Sequence, residues 1–151
     1  MQAPVRFQQP PGQAHPRPAD PIHRTRTSGG PGMSRHEIAA ITRHNQSLDG
    51  VSWNILGQVY TPKQITEDSF SWHALFPEET FVPPHTHVDQ DEYIFVIEGR
   101  IDLILDGQTQ SAQAGDLVRM PRGIPHAFFN NSGKPAKALF WAAPAGKLLD
   151  C

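Results

Sequence analysis

Pro83-Pro84-His85-Thr86-His87-Val88-Asp89-Gln90-Asp91-Glu92-Tyr93-Ile94-Phe95-Val96-Ile97-Glu98-Gly99 is the stretch whose reading decides the fold. Two histidines one residue apart point to the same side of an extended strand, because side chains there alternate. Pro83 and Pro84 cannot donate ladder hydrogen bonds, so this entry belongs at a rim or sheet edge. Glu92 opens an apolar, β-branched run that reads as the next strand, with Ile94 and Val96 on its own face. Two imidazoles and a carboxylate on paired strands make most of a site for a divalent transition ion. A further ligand comes from Gly115-Asp116-Leu117-Val118-Arg119-Met120-Pro121-Arg122-Gly123-Ile124-Pro125-His126-Ala127-Phe128-Phe129-Asn130, where His126 leads a strand after a Pro/Gly turn.

These two segments resemble the paired motifs of the cupin superfamily, G-x5-H-x-H-x(3,4)-E-x6-G and G-x5-P-x-G-x2-H-x3-N. The second motif is met by Gly115, Pro121, Gly123, His126 and Asn130, and the first by His85, His87, Glu92 and Gly99. The first motif's opening glycine is replaced by Glu79, so the turn before the histidines is expected to be built differently. The resemblance spans roughly residues 55–146 and is closest to small single-domain cupins similar to quercetin dioxygenases. It implies an all-β fold, a double-stranded β-helix (jelly-roll) barrel. It also implies that His85, His87, Glu92 and His126 hold one divalent transition metal ion per chain. Iron is favoured, with Mn, Ni, Cu or Zn chemically acceptable, and two octahedral positions are left open. Asp91 is the competing carboxylate, and the six residues between Glu92 and Gly99 favour Glu92.

The rest of the chain is consistent with that frame. Short apolar runs broken by turn residues argue for nine or ten strands in an antiparallel barrel or sandwich. Val51–Gly57, Gln58–Thr61 and Ser69–Phe76 read as strands, with Pro62 to Asp68 as a loop. Ile101, Leu103 and Leu105 form one apolar face, Asp106-Gly107 signals a hairpin, and Lys137–Ala142 reads as a last strand. Trp72 and Trp141 are expected in the core. Between Ser34 and Gly50 the signal is weak: a short capped helix through Ile41 and an edge strand are equally compatible. His36 and His44 read as solvated surface.

Residues 1–33 are a different material from the 34–151 barrel domain. Residues 1–32 hold seven of the fifteen prolines, four of the twelve glycines and only one acidic residue, Asp20. Such a segment buries too little apolar surface to offset its ordering entropy and reads as a disordered extension. It lacks the apolar stretch of a secretory signal, and Met33 is a second candidate for the natural start. A formal net charge of −2 over 151 residues argues against nucleic-acid and anionic-membrane partners. No apolar run approaches the ~18 residues a bilayer span needs. The single cysteine, Cys151, excludes an intrachain disulfide, and a cytoplasmic location is expected.

The expected function is a metal-dependent dioxygenase acting on a small aromatic or enolisable molecule. By resemblance, Glu92 doubles as the base that deprotonates a substrate hydroxyl. Ile94, Val96, Met120 and Phe128 are candidates for an apolar pocket wall, and His73 for an added acid/base group. The alternatives are a non-oxidative isomerase, lyase or decarboxylase, or a small-ligand-binding module. For a sugar-phosphate ligand, Arg119 and Arg122 are the only nearby basic residues. A homodimer is expected, with residues 35–61 at the interface.

Overall fold

The computed structural model describes residues 39–145, and the extension, the Ser34–Glu37 cap and Cys151 lie outside the described residues. Ten strands and no helix occur among the described residues. They are β1 (Trp53–Ile55), β2 (Gln58–Ile65), β3 (Phe70–Phe76), β4 (Phe81–His85) and β5 (Asp91–Glu98). After these come β6 (Arg100–Leu105), β7 (Gln108–Gln113), β8 (Leu117–Met120), β9 (His126–Phe129) and β10 (Ala136–Ala143). A six-stranded sheet runs β1-β2-β3-β10-β5-β8 and a four-stranded sheet β4-β9-β6-β7, with antiparallel pairing in both. This is the all-β double-sheet barrel expected from the strand pattern and motifs.

Period-two patterning decides which side of each strand faces the interior. In β3, Phe70, Trp72, Ala74 and Phe76 are buried while Ser71, His73 and Leu75 lie on the outer face. In β10, Ala136, Ala138, Phe140 and Ala142 are inward. Together with Ile94, Val96, Ile101, Leu103 and Phe128 these residues form one core drawn from both sheets. The aromatic centre is Phe140, which stacks on Trp72 (5.4 Å) and Phe76 (5.7 Å) and tilts against Phe128 (5.6 Å). Trp141 is not in this core. It falls on the outer face, half-buried, stacked on Tyr93 at 5.2 Å.

Two further readings are corrected by tertiary pairing. The expected loop from Pro62 is strand: β2 continues to Ile65, with a register shift between Pro62 and Gln64. Proline is tolerated there because β1 pairs only with Gln58 to Tyr60, so that side of Pro62 faces no strand. Leu48 N–H instead donates to Pro62 O at 2.9 Å. The weak segment before β1 forms neither helix nor strand over residues 39–50 and is strapped across β2. Lys63 Nζ donates to the carbonyls of Arg43 (2.8 Å), His44 (3.0 Å) and Gln46 (2.6 Å), and Thr42 Oγ1 to Lys63 O (2.8 Å).

The turn before the histidines takes a left-handed residue although glycine is missing. Glu79 has φ 62°, and its N–H donates to Asn130 O at 2.9 Å. Asn130 knots the same corner, donating from Nδ2 to Phe76 O (3.0 Å) and Lys134 O (2.7 Å) and accepting Ser132 Oγ at 2.7 Å. A side chain in that backbone region costs about 1–2 kcal/mol, part of which glycine's unfolded-state entropy offsets. Glu79→Gly is therefore expected to stabilise the protein by about 0.5–1 kcal/mol in urea unfolding. A loss of stability would mean that the Glu79 side chain holds the turn.

Candidate metal centre

His85 ends β4, an edge strand, so the proline pair lies at a sheet edge, beside a bulge between Val82 and His85. His87 follows in the connecting loop, and its carbonyl accepts Gly123 N–H at 2.8 Å. That bond ties the first motif's loop to the Pro121–Gly123 turn that delivers His126. His126 pairs with His85 across β4 and β9, and Glu92 enters from β5 of the other sheet. One ligand atom from each of His85, His87, Glu92 and His126 lies within 4.8 Å of every other. Glu92 and His126 are buried, and His85 and His87 are half-buried, so the cluster opens to solvent on the side of the two motif histidines.

The donor set fits a bound cation. His126 Nδ1 is 2.9 Å from Ile124 O and His85 Nδ1 is 2.9 Å from Pro83 O. A carbonyl only accepts, so both Nδ1 atoms carry the proton and both Nε2 atoms present a lone pair. Yet His126 Nε2 lies 3.2 Å from Glu92 Oε2, and His87 Nε2 3.0 Å from the same oxygen. A lone pair facing a carboxylate at that distance needs a positive charge, either a proton or a metal ion. Ligands ~2.1 Å from one ion and at right angles are ~3.0 Å apart, which matches this spacing.

Burial pushes Glu92 up, but the hydrogen bonds and charges of His126 and His87 outweigh it, leaving its carboxyl below the usual range. The hydrogen bond to Glu92 raises His87 against its own burial. His85 is lowered, chiefly by burial. In metal-free protein the Glu92 contribution is present above the ordinary glutamate value of 4.5 and lost as pH falls through the depressed value. The His87 contribution is complete below 6.5 and lost as pH rises through the raised value. His85 acts oppositely, withdrawing stability as it protonates below 6.5. Metal-free His87→Gln is therefore expected to show a flatter decline of Tm above about pH 6.5 than metal-free wild type, measured by circular dichroism. Parallel alkaline limbs would remove the His87–Glu92 coupling.

Other sequence candidates divide sharply. Asp91 turns outward to Arg122, accepting its backbone N–H at 3.0 Å and its Nε at 3.2 Å. It is not in the cluster. Met120 lies opposite Glu92 in the β5–β8 register, and Ile94 follows Glu92 on the same inner face. The Phe128 ring is 6.0 Å from that of His85 and 6.1 Å from that of His126. Val96 is fully buried, but four residues, or about 13 Å of strand, separate it from Glu92. His73 is not brought to the cluster: Trp72 and Ala74 take the inner face of β3, which leaves His73 on the outside. Arg119 is exposed opposite Tyr93, so neither arginine points into the barrel.

Two interior polar groups escaped the sequence reading. Gln90 is buried and its Nε2 donates to Pro144 O at 2.9 Å and also to Ala145 O, latching the far end of β10 beneath the histidine loop. No local signal marks a contact across that separation. Tyr60 packs against Trp72, Phe76 and Phe140 and donates its hydroxyl to buried Gln58. Burial and, secondarily, the Glu92 charge push its phenol well up. Its position was available from the alternation of β2 once an inner face had been assigned.

A barrel of two antiparallel sheets, with three imidazoles and one carboxylate converging inside one end, defines a double-sheet β-barrel class of protein whose side-chain cluster could hold a metal ion. Residues 72–142 match the family model described as a cupin domain, and the chain belongs to the cupin superfamily. It is 35% identical over 79 residues to germin-like protein 9-3 of Oryza sativa subsp. japonica, covering 48% of this chain and 37% of that protein. It is 39% identical over 46 residues to quercetin 2,3-dioxygenase of Bacillus subtilis (strain 168), covering 30% of this chain and 14% of that one. The chain thus spans well under half the length of these curated relatives. Its fold is similar to that of KdgF from Halomonas sp., with TM-score 0.57 and 17% identity over 64% of this chain and 87% of the other. Among the described residues no helix is long and apolar enough to cross a membrane.

Proposed function

We propose that this cupin binds one divalent transition metal ion through His85, His87, Glu92 and His126, and acts as a dioxygenase on a small aromatic or enolisable molecule. The observation that carries the reading is the convergence of these four ligand atoms within 4.8 Å, at the half-open end of the barrel and next to its apolar core. Iron is the favoured ion. When bound, such an ion polarises a substrate enolate or phenolate oxygen and offers coordination positions for dioxygen. The protein's own groups do the rest. Ile94, Met120 and Phe128 exclude water and present a flat apolar wall to a ring or diketone. Glu92, whose carboxyl is held ionised by its two histidines, accepts the substrate hydroxyl proton. Pro83 O and Ile124 O hold His85 and His126 in the tautomer that aims Nε2 at the ion.

The outward direction of Arg119 and Arg122 speaks against a sugar-phosphate ligand, which would be met by basic side chains inside the barrel. The test is metal analysis of untagged protein followed by oxygen uptake with flavonols, 1,3-diketones and catechols. Near-stoichiometric redox metal with metal-dependent uptake is expected. Zinc alone and no uptake would move the reading to a non-oxidative isomerase, lyase, decarboxylase or binding role.

We further propose a homodimer within the 35–61 region, through the free edge of β1 (Trp53–Ile55). It is supported by exposed Ile41, Val51, Ile55 and Leu56 around the edge strand β1. Light scattering is expected to give twice the chain mass, and a monomer would remove the proposal.

A further inference from the structure

His73, turned away from the metal cluster, opens into a groove of about 320 Å³ on the outer face of the larger sheet. Its apolar lining comes from Val59 on β2 and Leu75 on β3. The polar lining comes from His44, Asn45, Ser52, Thr61, His73 and Lys137. The strap over residues 42–48 forms one wall and is held in place by Lys63. Every ionisable group in this lining is basic, and none is a carboxylate. Glu98 pairs with Lys137 Nζ at 3.1 Å. Ser52 Oγ and Thr61 Oγ1 share a hydrogen bond at 3.2 Å, which leaves one hydroxyl proton free to turn outward. No ring nitrogen of His73 or His44 has a hydrogen-bond partner among the described residues.

We propose that this groove is a second ligand site, separate from the metal centre, and that it takes a small organic carboxylate with a compact apolar body. The carboxylate meets His73, Lys137 and the Ser52–Thr61 hydroxyl pair, while the body lies on Val59 and Leu75. Two features argue for an organic anion over an inorganic one: the volume exceeds what phosphate needs, and the lining includes aliphatic side chains. Burial first, then the charges of Lys63, His44 and Lys137, disfavour protonation of His73. An anion placed beside His73 would favour its protonated form and would share Lys137 with Glu98.

The test is a titration of the full chain, zinc-loaded so that it stays diamagnetic, with sodium benzoate followed by two-dimensional amide NMR. Saturable shifts centred on Thr61, His73 and Lys137 are expected, distinct from any at His85, His87 or His126. His73→Gln and Thr61→Val are each expected to weaken binding roughly tenfold. Benzyl alcohol, with a similar body and no charge, is expected to leave these resonances in place. Absence of saturable shifts at the groove, or a Kd unchanged in both variants, would overturn the site. Displacement of benzoate by equimolar inorganic phosphate would overturn the ligand class. Because the metal-centre resonances are read in the same spectra, failure here is distinguishable from failure of the metal reading.

Discussion

Glu92→Gln is expected to lower metal affinity at least about a hundredfold, more than loss of an outer-shell partner usually costs. The amide keeps the shape of the side chain but removes the only negative charge in the cluster. Three neutral imidazoles and an amide then face a divalent ion in a buried setting where charge is weakly screened. Both short contacts to His87 and His126 run to the same Glu92 oxygen, so one substitution alters two of them. A ligand present at 100 times its Kd stabilises the folded state by about 2.7 kcal/mol. Wild type should therefore melt several degrees higher with added metal, while Glu92→Gln should barely respond. The metal-free variant should still fold, because its amide can donate to the Nε2 lone pair left by either histidine. Comparison of Tm with and without metal, alongside metal content after dialysis, reads both effects. Binding by the variant within about threefold of wild type would show that Glu92 is not a ligand.

Phe140→Ala is expected to cost about 3–5 kcal/mol, enough to unfold a large part of a domain whose total stability is ~5–15 kcal/mol. Phe140 is 1% exposed and its ring meets Trp72, Phe76, Phe128 and Tyr60. Its strand neighbours on the inner face, Ala138 and Ala142, are too small to fill the space vacated. The same cavity removes support from Phe128, which lies against the rings of His85 and His126. A loss of metal affinity should accompany the loss of stability. Urea unfolding and metal titration of the variant measure the two. A cost below about 1 kcal/mol would mean that the aromatic cluster closes up around the deletion.

The contrast between His73 and His126 shows what kind of information the sequence carried. Both are histidines on short β-strands near aromatic residues, and only His126 has fixed neighbours, Pro121, Gly123 and Asn130, at defined spacing. Those neighbours act through local backbone: Gly123 takes a left-handed φ of 81° in the turn, and Asn130 Oδ1 accepts Ser132 N–H and Oγ at the strand end. Local signals of this sort are legible. His73 offered only its residue type, and the alternation of β3 sends it outward because Trp72 has the larger apolar surface to bury. Trp141 was misplaced for a related reason: two aromatics in succession cannot both face inward, and Phe140 holds the centre. Pro62 read as a strand breaker because the short reach of its partner β1, which leaves its missing donor without consequence, is a property of pairing.

The sequence by itself determined the strand order along the chain and the hairpin at Asp106-Gly107, because period-two burial and turn chemistry act over a few residues, and its resemblance to the paired cupin motifs named the four clustered side chains. Only the tertiary structure decided that Asp91 turns to Arg122 and that Gln90 latches Pro144 and Ala145. The same holds for the left-handed turn kept by Glu79 without a glycine and for the basic groove around His73 on the opposite face of β3 from the core. Each of these depends on contacts between residues far apart in the chain, where the free energy of closing the barrel selects the face and the partner of a side chain.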